Sequence, residues 1–321
     1  MIDILFSFSL ALFGLFLILK TKLKYIAVDR PNQRSLHTSA VPRIGGLAIM
    51  FGTLTTWLFI GVAWEWILLP LALIGISLID DMRGLKARWR FLAQILVCAV
   101  FLTIYPEGIA LVYMPLVLLG MVWVVNLYNF MDGSDGLAGG MALFGFGAYA
   151  VAAYLGEQTD LAVLCASLAS SCLAFLIFNF HPAKIFMGDS GSIPLGFLAS
   201  ALGIWGWQYD VWTFWFPLVV FSPFIVDASI TLFKRLLKQE KVWLPHKSHY
   251  YQRLVQMGWG HKKTAIVEYG LMIASSCGAI VFLHYLPTWS TLALIFWGLI
   301  YAILLFYVDL AWRRYKTLNP H

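Results

Sequence analysis

The sequence predicts an all-α, polytopic integral membrane protein of about eleven transmembrane helices, N-terminus outside and C-terminus cytoplasmic. Three observations carry this. Of the 321 residues, 61% are hydrophobic and only 12% are charged, with 14 Trp and 24 Phe; a soluble domain carries about twice that share of charge. Apolar runs of roughly 20 residues recur along the chain, the length that crosses a bilayer core. The Lys and Arg residues fall only in alternate connections between those runs.

In order, the runs cover about 2–20, 44–63, 66–79, 91–105, 109–126, 137–155, 161–179, 193–208, 212–233, 265–285 and 291–311. The first precedes its basic residues and lacks a small-residue cleavage site, so it reads as a retained span and not a removed leader. Counted from an outside N-terminus, the inside segments hold 6, 4, 0, 1, 8 and 3 Lys and Arg, which is all 22. The outside segments hold none, and carry Asp3, Glu65, Glu107, Glu157, Asp160 and Asp210. Lys and Arg bias sets orientation, and a wrong list of spans would not divide the charges so completely. With so many spans, residues 1–321 read as a single transmembrane domain. Cys98, Cys165, Cys172 and Cys277 all fall within spans, without a CxxC pair. They read as small buried hydrophobes and not as metal ligands.

Outside connections are short, so chemistry belongs inside. Ten of the 16 acidic residues lie inside or at inner helix ends. Four segments there stand out. In "LIDDMRGLKARWRF", Asp80 and Asp81 end an apolar run, where the helix dipole and each other's charge are both unfavourable. An ion pair with Arg83, Lys86 or Arg88 is the simplest resolution. In "NLYNFMDGSDGLAGG", Asn126, Asn129, Asp132 and Asp135 stand three apart with no Lys or Arg among them. Gly133 and Gly136 predict that the helix ends near Asn129, with both Asp in a turn. Asp135 also fits an N-cap, but four oxygen-bearing side chains exceed what capping needs.

In "FNFHPAKIFMGDSGS", Asp189 precedes a span and fits an N-cap, but Phe186 beside it offers a stacking surface. In "VWLPHKSHYYQR", His246, His249, Lys247 and Arg253 share the longest inside loop and form a set that can contact phosphates. No Cys or third His completes a zinc site there. Carboxylate and amide oxygens are hard ligands that suit Mg²⁺ or Mn²⁺. Beside basic side chains, they point to phosphate chemistry at a membrane surface.

These motifs, with "PNQRSLHTSAVPRIGGLAI" at 31–49, resemble in order those of the polyprenyl-phosphate N-acetylhexosamine-1-phosphate transferases (glycosyltransferase family 4), over residues about 28 to 265. The resemblance implies eleven spans with the N-terminus outside, in the bacterial inner membrane. It implies an active site built from cytoplasmic loops about 21–43, 80–90, 127–136, 180–192 and 234–264. The reaction it implies moves a HexNAc-1-phosphate from a UDP-sugar to undecaprenyl phosphate, releasing UMP. It further implies Mg²⁺ held by Asp189 and Asn129, and Phe186 packed on uracil. Asp132 and Asp135 would lie at the nucleoside and metal site, and Asn126 would join the substrate contacts. Asp80, as base, and Asp81 would serve the acceptor phosphate, with His246 and His249 at the donor diphosphate. Direct attack by the lipid phosphate fits better than a phosphorylated Asp, because a metal-bound Asp189 is a poor nucleophile.

Arg43, Lys247 and Arg253 are candidates for further phosphate contacts. The partners expected are membrane lipids and the two substrates, with no nucleic acid; relatives form homodimers. Enzymes using UDP-MurNAc-pentapeptide carry adjacent histidines, whereas Lys247 and Ser248 separate His246 from His249. The loop therefore looks more like the O-antigen-initiating branch, which uses UDP-GlcNAc or 6-deoxy sugars such as UDP-FucNAc and UDP-QuiNAc. A transporter would instead place charges at mid-membrane depth. Only Asp227, Glu268 and Asp309 approach that pattern, and helix packing accounts for them. A CDP-alcohol phosphotransferase would need an Ala-Arg that "DGSDGLAGG" lacks.

Overall fold

A computed structural model describes residues 1–29, 40–241 and 246–319. Residues 31–39 of the first loop motif, and Pro245 before the histidines, lie outside the described residues. Each of the eleven apolar runs folds as helix, in an all-α bundle. The helices are α1 (Ile2–Lys20), α2 (Gly45–Phe59), α3 (Glu65–Arg83), α4 (Ala87–Ile104), α5 (Met114–Phe130), α6 (Leu137–Leu155) and α7 (Thr159–Asn179). They continue as α8 (Asp189–Gln208), α9 (Trp215–Val220), α10 (Ser222–Leu237), α11 (Tyr250–Leu254), α12 (Gly260–Ile280) and α13 (Ala293–Leu318). The described strands are β1 (Val28–Asp29) and β2 (Val41–Pro42), paired antiparallel with Val28 opposite Pro42.

Among the described residues, seven helical segments are long and apolar enough to cross a membrane: α1, α4, Leu111–Phe130, α6, α7, Tyr250–Tyr285 and α13. The protein is therefore a multi-pass membrane protein. The run expected at 212–233 is broken in two. α9 stops at Val220, and α10 restarts with Pro223 in its first turn, where its missing N–H costs no helical bond. α2 has only 15 residues and packs as a short apolar helix.

One group of helices that pack together is α1, α2, α6 and α7. Small residues let these helices approach, and hydroxyls join them. Ser7 Oγ donates to the carbonyl of Ser167 at 2.9 Å, and Trp57 Nε1 donates to Ser167 Oγ at 2.9 Å. Inside a bilayer, where water offers no partner, such contacts hold helices together. Cys165 and Cys172 are buried in α7 and Cys98 in α4, whereas Cys277 is exposed on the bundle surface, contrary to expectation. A second group, α3, α4, α5 and α8, packs alongside. α8 meets α5 closely at Gly196, where a Cβ would stand 2.8 Å from the Val125 Cα.

Two boundaries matter for function. α3 runs four residues past the expected end at 79, so Asp80 and Asp81 sit inside its last turn. It stops at Gly84, whose φ of +68° only glycine adopts readily. α5 ends at Phe130, which makes Asn126 and Asn129 both helical and one turn apart on one face. Asp132 and Asp135 lie in the following turn, as the two glycines predict.

Candidate active site

Four helix ends and one loop meet at one end of the bundle. α3 supplies Asp80 and Asp81, α4 supplies Arg90 and Gln94, α5 supplies Asn126 and Asn129, and α8 supplies Asp189 as its first residue. Arg43 comes from the segment between β2 and α2. All eight line one cavity of about 590 Å³, with Phe130 and Ile193 as apolar wall.

The backbone around Asp189 explains its position. The Phe186 N–H donates to the Pro42 carbonyl at 2.7 Å, and the Gly45 and Gly46 N–H groups donate to Phe186 and Met187 carbonyls at 2.9 Å. The 186–187 segment is thus zipped to the 42–46 segment. Gly188 then turns the chain into α8 with φ +73°, and a Cβ there would lie 2.0 Å from the Arg43 carbonyl oxygen. Gly188 itself is the N-cap of α8 and makes no side-chain cap bond. Asp189 therefore caps nothing, and its carboxylate instead faces the cavity while gaining from the positive end of the helix.

Arg90 is the electrostatic centre. Its Nη1 donates to Asp80 Oδ2 at 2.7 Å and to Asp189 Oδ2 at 2.9 Å. Asp80 Oδ1 accepts the Leu85 N–H at 2.6 Å, so both its oxygens are engaged. Arg43 Nη2 stands 3.2 Å from Asp81 Oδ1. The ion-pair partners expected for Asp80 and Asp81, namely Arg83, Lys86 and Arg88, are thus replaced by Arg90 and Arg43. Asn126 Nδ2 donates to Gln94 Oε1 and to the Val122 carbonyl, both at 2.7 Å, which leaves its oxygen as the group it can offer a ligand.

Carboxylates outnumber cations here. Asp132 lies in the turn behind Asp189, and burial, reinforced by the charges of Asp189 and Asp81, pushes its carboxyl up to about 7. Asp81 is only 1% exposed at its side chain, and its Oδ2 has no hydrogen-bond partner. A buried unpaired carboxylate oxygen is costly and marks a place where a cation belongs. Among the described residues, no three His, Cys, Asp or Glu converge as a closed metal cage. The donor set therefore fits an ion that takes few protein ligands and completes its shell with substrate oxygens, as Mg²⁺ does.

Residues 63–206, which contain three of the four motifs, match Glycosyl transferase family 4. A Bacillus subtilis protein, "Probable undecaprenyl-phosphate N-acetylglucosaminyl 1-phosphate transferase", is 32% identical over 92% of this chain and 89% of its own length. The chain belongs to glycosyl transferase family 4. The polyprenyl-phosphate N-acetylhexosamine-1-phosphate transferases, which its motifs resemble, are that family. The "Decaprenyl-phosphate N-acetylglucosaminephosphotransferase" of Mycobacterium leprae is 32% identical over 80% of this chain and 77% of its own. The "Phospho-N-acetylmuramoyl-pentapeptide-transferase" of Geobacillus kaustophilus is 33% identical over 62% of this chain and 72% of its own.

The other expected site residues of this family 4 chain surround the cavity without lining it. Asp135 is not an N-cap, since Gly136 holds that position. Its Oδ2 accepts His181 Nδ1 at 2.7 Å and the Ala183 N–H at 3.1 Å, which ties the 131–136 turn to the loop before Asp189. Asn179 braces the same junction, accepting the Gly136 N–H at 3.0 Å and donating to the Ile185 carbonyl at 2.9 Å. Phe186 is half-buried beside this junction.

The histidine loop reaches the cavity through Phe130, whose ring stacks on His249 at 6.5 Å. His246 stacks on His249 at 4.8 Å. Lys247 is half-buried, and its carbonyl accepts from Gln256 Nε2 at 2.9 Å. Arg253, expected at a phosphate, is buried instead: its Nη1 pairs with Asp309 Oδ1 at 2.8 Å and its Nε donates to the Ser248 carbonyl at 2.8 Å.

Sequence reasoning passed over Arg90, Gln94, Asn179 and His181. Arg90 and Gln94 did leave a signal. They stand four apart, on one face of α4, and the glutamine interrupts an apolar run.

Proposed function

We propose that this chain transfers a HexNAc-1-phosphate from a UDP-sugar to undecaprenyl phosphate, releasing UMP and forming a lipid diphosphate sugar. The observation that carries this is the shared cavity: Asp80, Asp81, Asn129 and Asp189, from three sequence motifs, line it together with Arg43 and Arg90. Two phosphate anions must meet there, and the two guanidiniums offset their repulsion while positioning them. UDP-GlcNAc is the preferred donor because relatives that cover most of the chain are named as N-acetylglucosaminyl 1-phosphate transferase and N-acetylglucosaminephosphotransferase. UDP-FucNAc or UDP-QuiNAc, and with them initiation of O-antigen, form the next reading, resting on the separated His246 and His249.

Asp189 and Asn129 would hold Mg²⁺, or Mn²⁺ in its place. When bound, the ion supplies Lewis-acid stabilisation of the charge developing on the transferred phosphoryl group. Asp81 would serve the acceptor phosphate through a cation shared with its unpaired oxygen. Asp80 becomes available as a base only when Arg90 turns from it towards substrate. The whole chain acts as one transmembrane domain with eleven spans, its N-terminus outside and the site facing the cytoplasm. The confinement of all 22 Lys and Arg to one set of connections supports that orientation.

The test is UMP release by purified protein with Mg²⁺, undecaprenyl phosphate and a panel of UDP-sugars that includes UDP-MurNAc-pentapeptide, beside Asp189→Ala. Lipid-dependent release from one sugar, lost in the variant, is the expected result. Release from no sugar by a well-folded protein would overturn the reading.

A further inference from the structure

Asp227 lies in α10, and its residue is 6% exposed. Four donors from two places converge on it, Thr231 of the same helix and the stretch 249–251. Its Oδ1 accepts Thr231 Oγ1 at 3.1 Å, the Tyr250 N–H at 2.9 Å and His249 Nδ1 at 3.3 Å. Its Oδ2 accepts the Tyr251 N–H at 2.9 Å. Helix packing, the expectation for this residue, needs none of these bonds. The two backbone donors open α11 and have no partner within that helix. A carboxylate from a different helix therefore fixes where the histidine loop becomes helical.

The same carboxylate fixes the imidazole. The Gln252 N–H also points at this ring; an ionised carboxylate only accepts, so Asp227 draws the ring proton to the Nδ1 that faces it and leaves Nε2 to act. The ring cannot turn freely, because it is 3% exposed and stacks against His246, Tyr251 and Phe130. Phe130 is itself a wall of the cavity. Asp309 braces the far side, holding Arg253, whose Nε holds the Ser248 carbonyl.

We propose that Asp227 is the positioning residue of the histidine loop: it sets the tautomer and direction of His249, and so presents Nε2 towards the substrate phosphates. The inference rests on the phosphate-transfer reading for what Nε2 then contacts. Asp227 itself touches neither substrate.

Two measurements test it. Asp227→Asn keeps the size of the side chain but also brings an N–H. The expected loss in kcat/KM is on the order of 10- to 100-fold, as for partners that orient a functional histidine. In His249→Ala, which has already lost the ring, the same change should cost less than about twofold, because residues acting as a unit are not additive. An equal loss in both backgrounds overturns the proposal, as does an Asp227→Asn enzyme with the wild-type rate.

The second measurement does not need turnover. In protein carrying ¹⁵N-labelled histidine, the resonance absent from His249→Ala should show a proton on Nδ1. A proton on Nε2 instead overturns the proposal. If the wild type transfers nothing while that resonance is as expected, the functional reading has failed and the positioning has not.

Discussion

Arg90 reaches Asp189 across the mouth of two helices, Nη1 to Oδ2 at 2.9 Å, and the same nitrogen also holds Asp80. One cation thus joins the end of α3 to the start of α8. Replacing it with alanine strips Asp80 and Asp189 of their shared partner and leaves three carboxylates in the cavity with Arg43, which pairs with Asp81, and the exposed Arg88. Arg90→Ala is expected to lower UMP release about 10²- to 10³-fold, the range for losing one preorganised charge at a phosphoryl or oxyanion site. Arg90→Lys should recover part of the rate, since a lysine supplies the charge without the planar fork. Wild-type rates in Arg90→Ala would remove this residue from the site.

The unpaired Oδ2 of Asp81 and the raised pKa of Asp132 both call for a cation. Treatment with EDTA is expected to abolish UMP release, and added Mg²⁺ or Mn²⁺ to restore it. Asp189→Asn should stay inactive on re-addition, and should lose the rise in melting temperature that the ion gives the wild type. Full activity in excess EDTA would sink the metal assignment.

Gly188 combines φ +73° with a 2.0 Å approach to the Arg43 carbonyl. Gly188→Ala should destabilise by roughly 1–3 kcal/mol from the backbone conformation alone, with the steric overlap adding to it. The overlap also pushes Arg43 away from Asp81. A lowered melting temperature together with a lowered rate is expected. A variant that melts and turns over as the wild type does would show that the zipped junction is not needed.

His246 is half-buried, and Arg235, Glu240, Asp227 and His249 face it. Burial first, then His249, holds its imidazole down at about 4 against an ordinary 6.5. The unfolded chain therefore takes up a proton near 6.5 that the folded chain takes up only near 4. Acid between those values favours unfolding, so the stability is fully present above 6.5 and is lost as the pH falls towards 4. On going from about pH 7 to about pH 5, the melting temperature of the wild type should fall further than that of His246→Gln. Equal falls would show that His246 is not the group responsible.

Much of this was legible in the sequence because the motifs sit at the ends of apolar runs. Once the runs are helices in one bilayer, Asp80, Asp81, Asn129 and Asp189 have to lie near one surface. What was hidden depends on helix phase and on contacts between distant helices. Four basic residues follow Asp81 within ten positions, and only the rotation of α4 selects Arg90. Asp227 looked like a packing residue because its partners, Thr231 apart, come from a loop about twenty residues on. Arg253 looked like a phosphate ligand because nothing local reveals Asp309, 56 positions later. The break between α9 and α10 is marked only by Pro223, which also fits a continuous helix with a kink.

The three backbone bonds between the 42–46 and 186–187 segments also bear on how such enzymes diversify. Bonds of this kind do not depend on side-chain identity, so Ile44 and Met187 can drift while the junction keeps its shape, whereas Gly45 and Gly46 cannot, because a Cβ there would lie 2.4 Å from the Phe175 ring and 2.1 Å from the Gly191 Cα. A change in the length or path of one segment, however, has to be matched by the other. A chimaera that grafts only the Asp189 loop from a relative with a different first loop should assemble badly. Exchanging both segments as a matched pair should restore assembly.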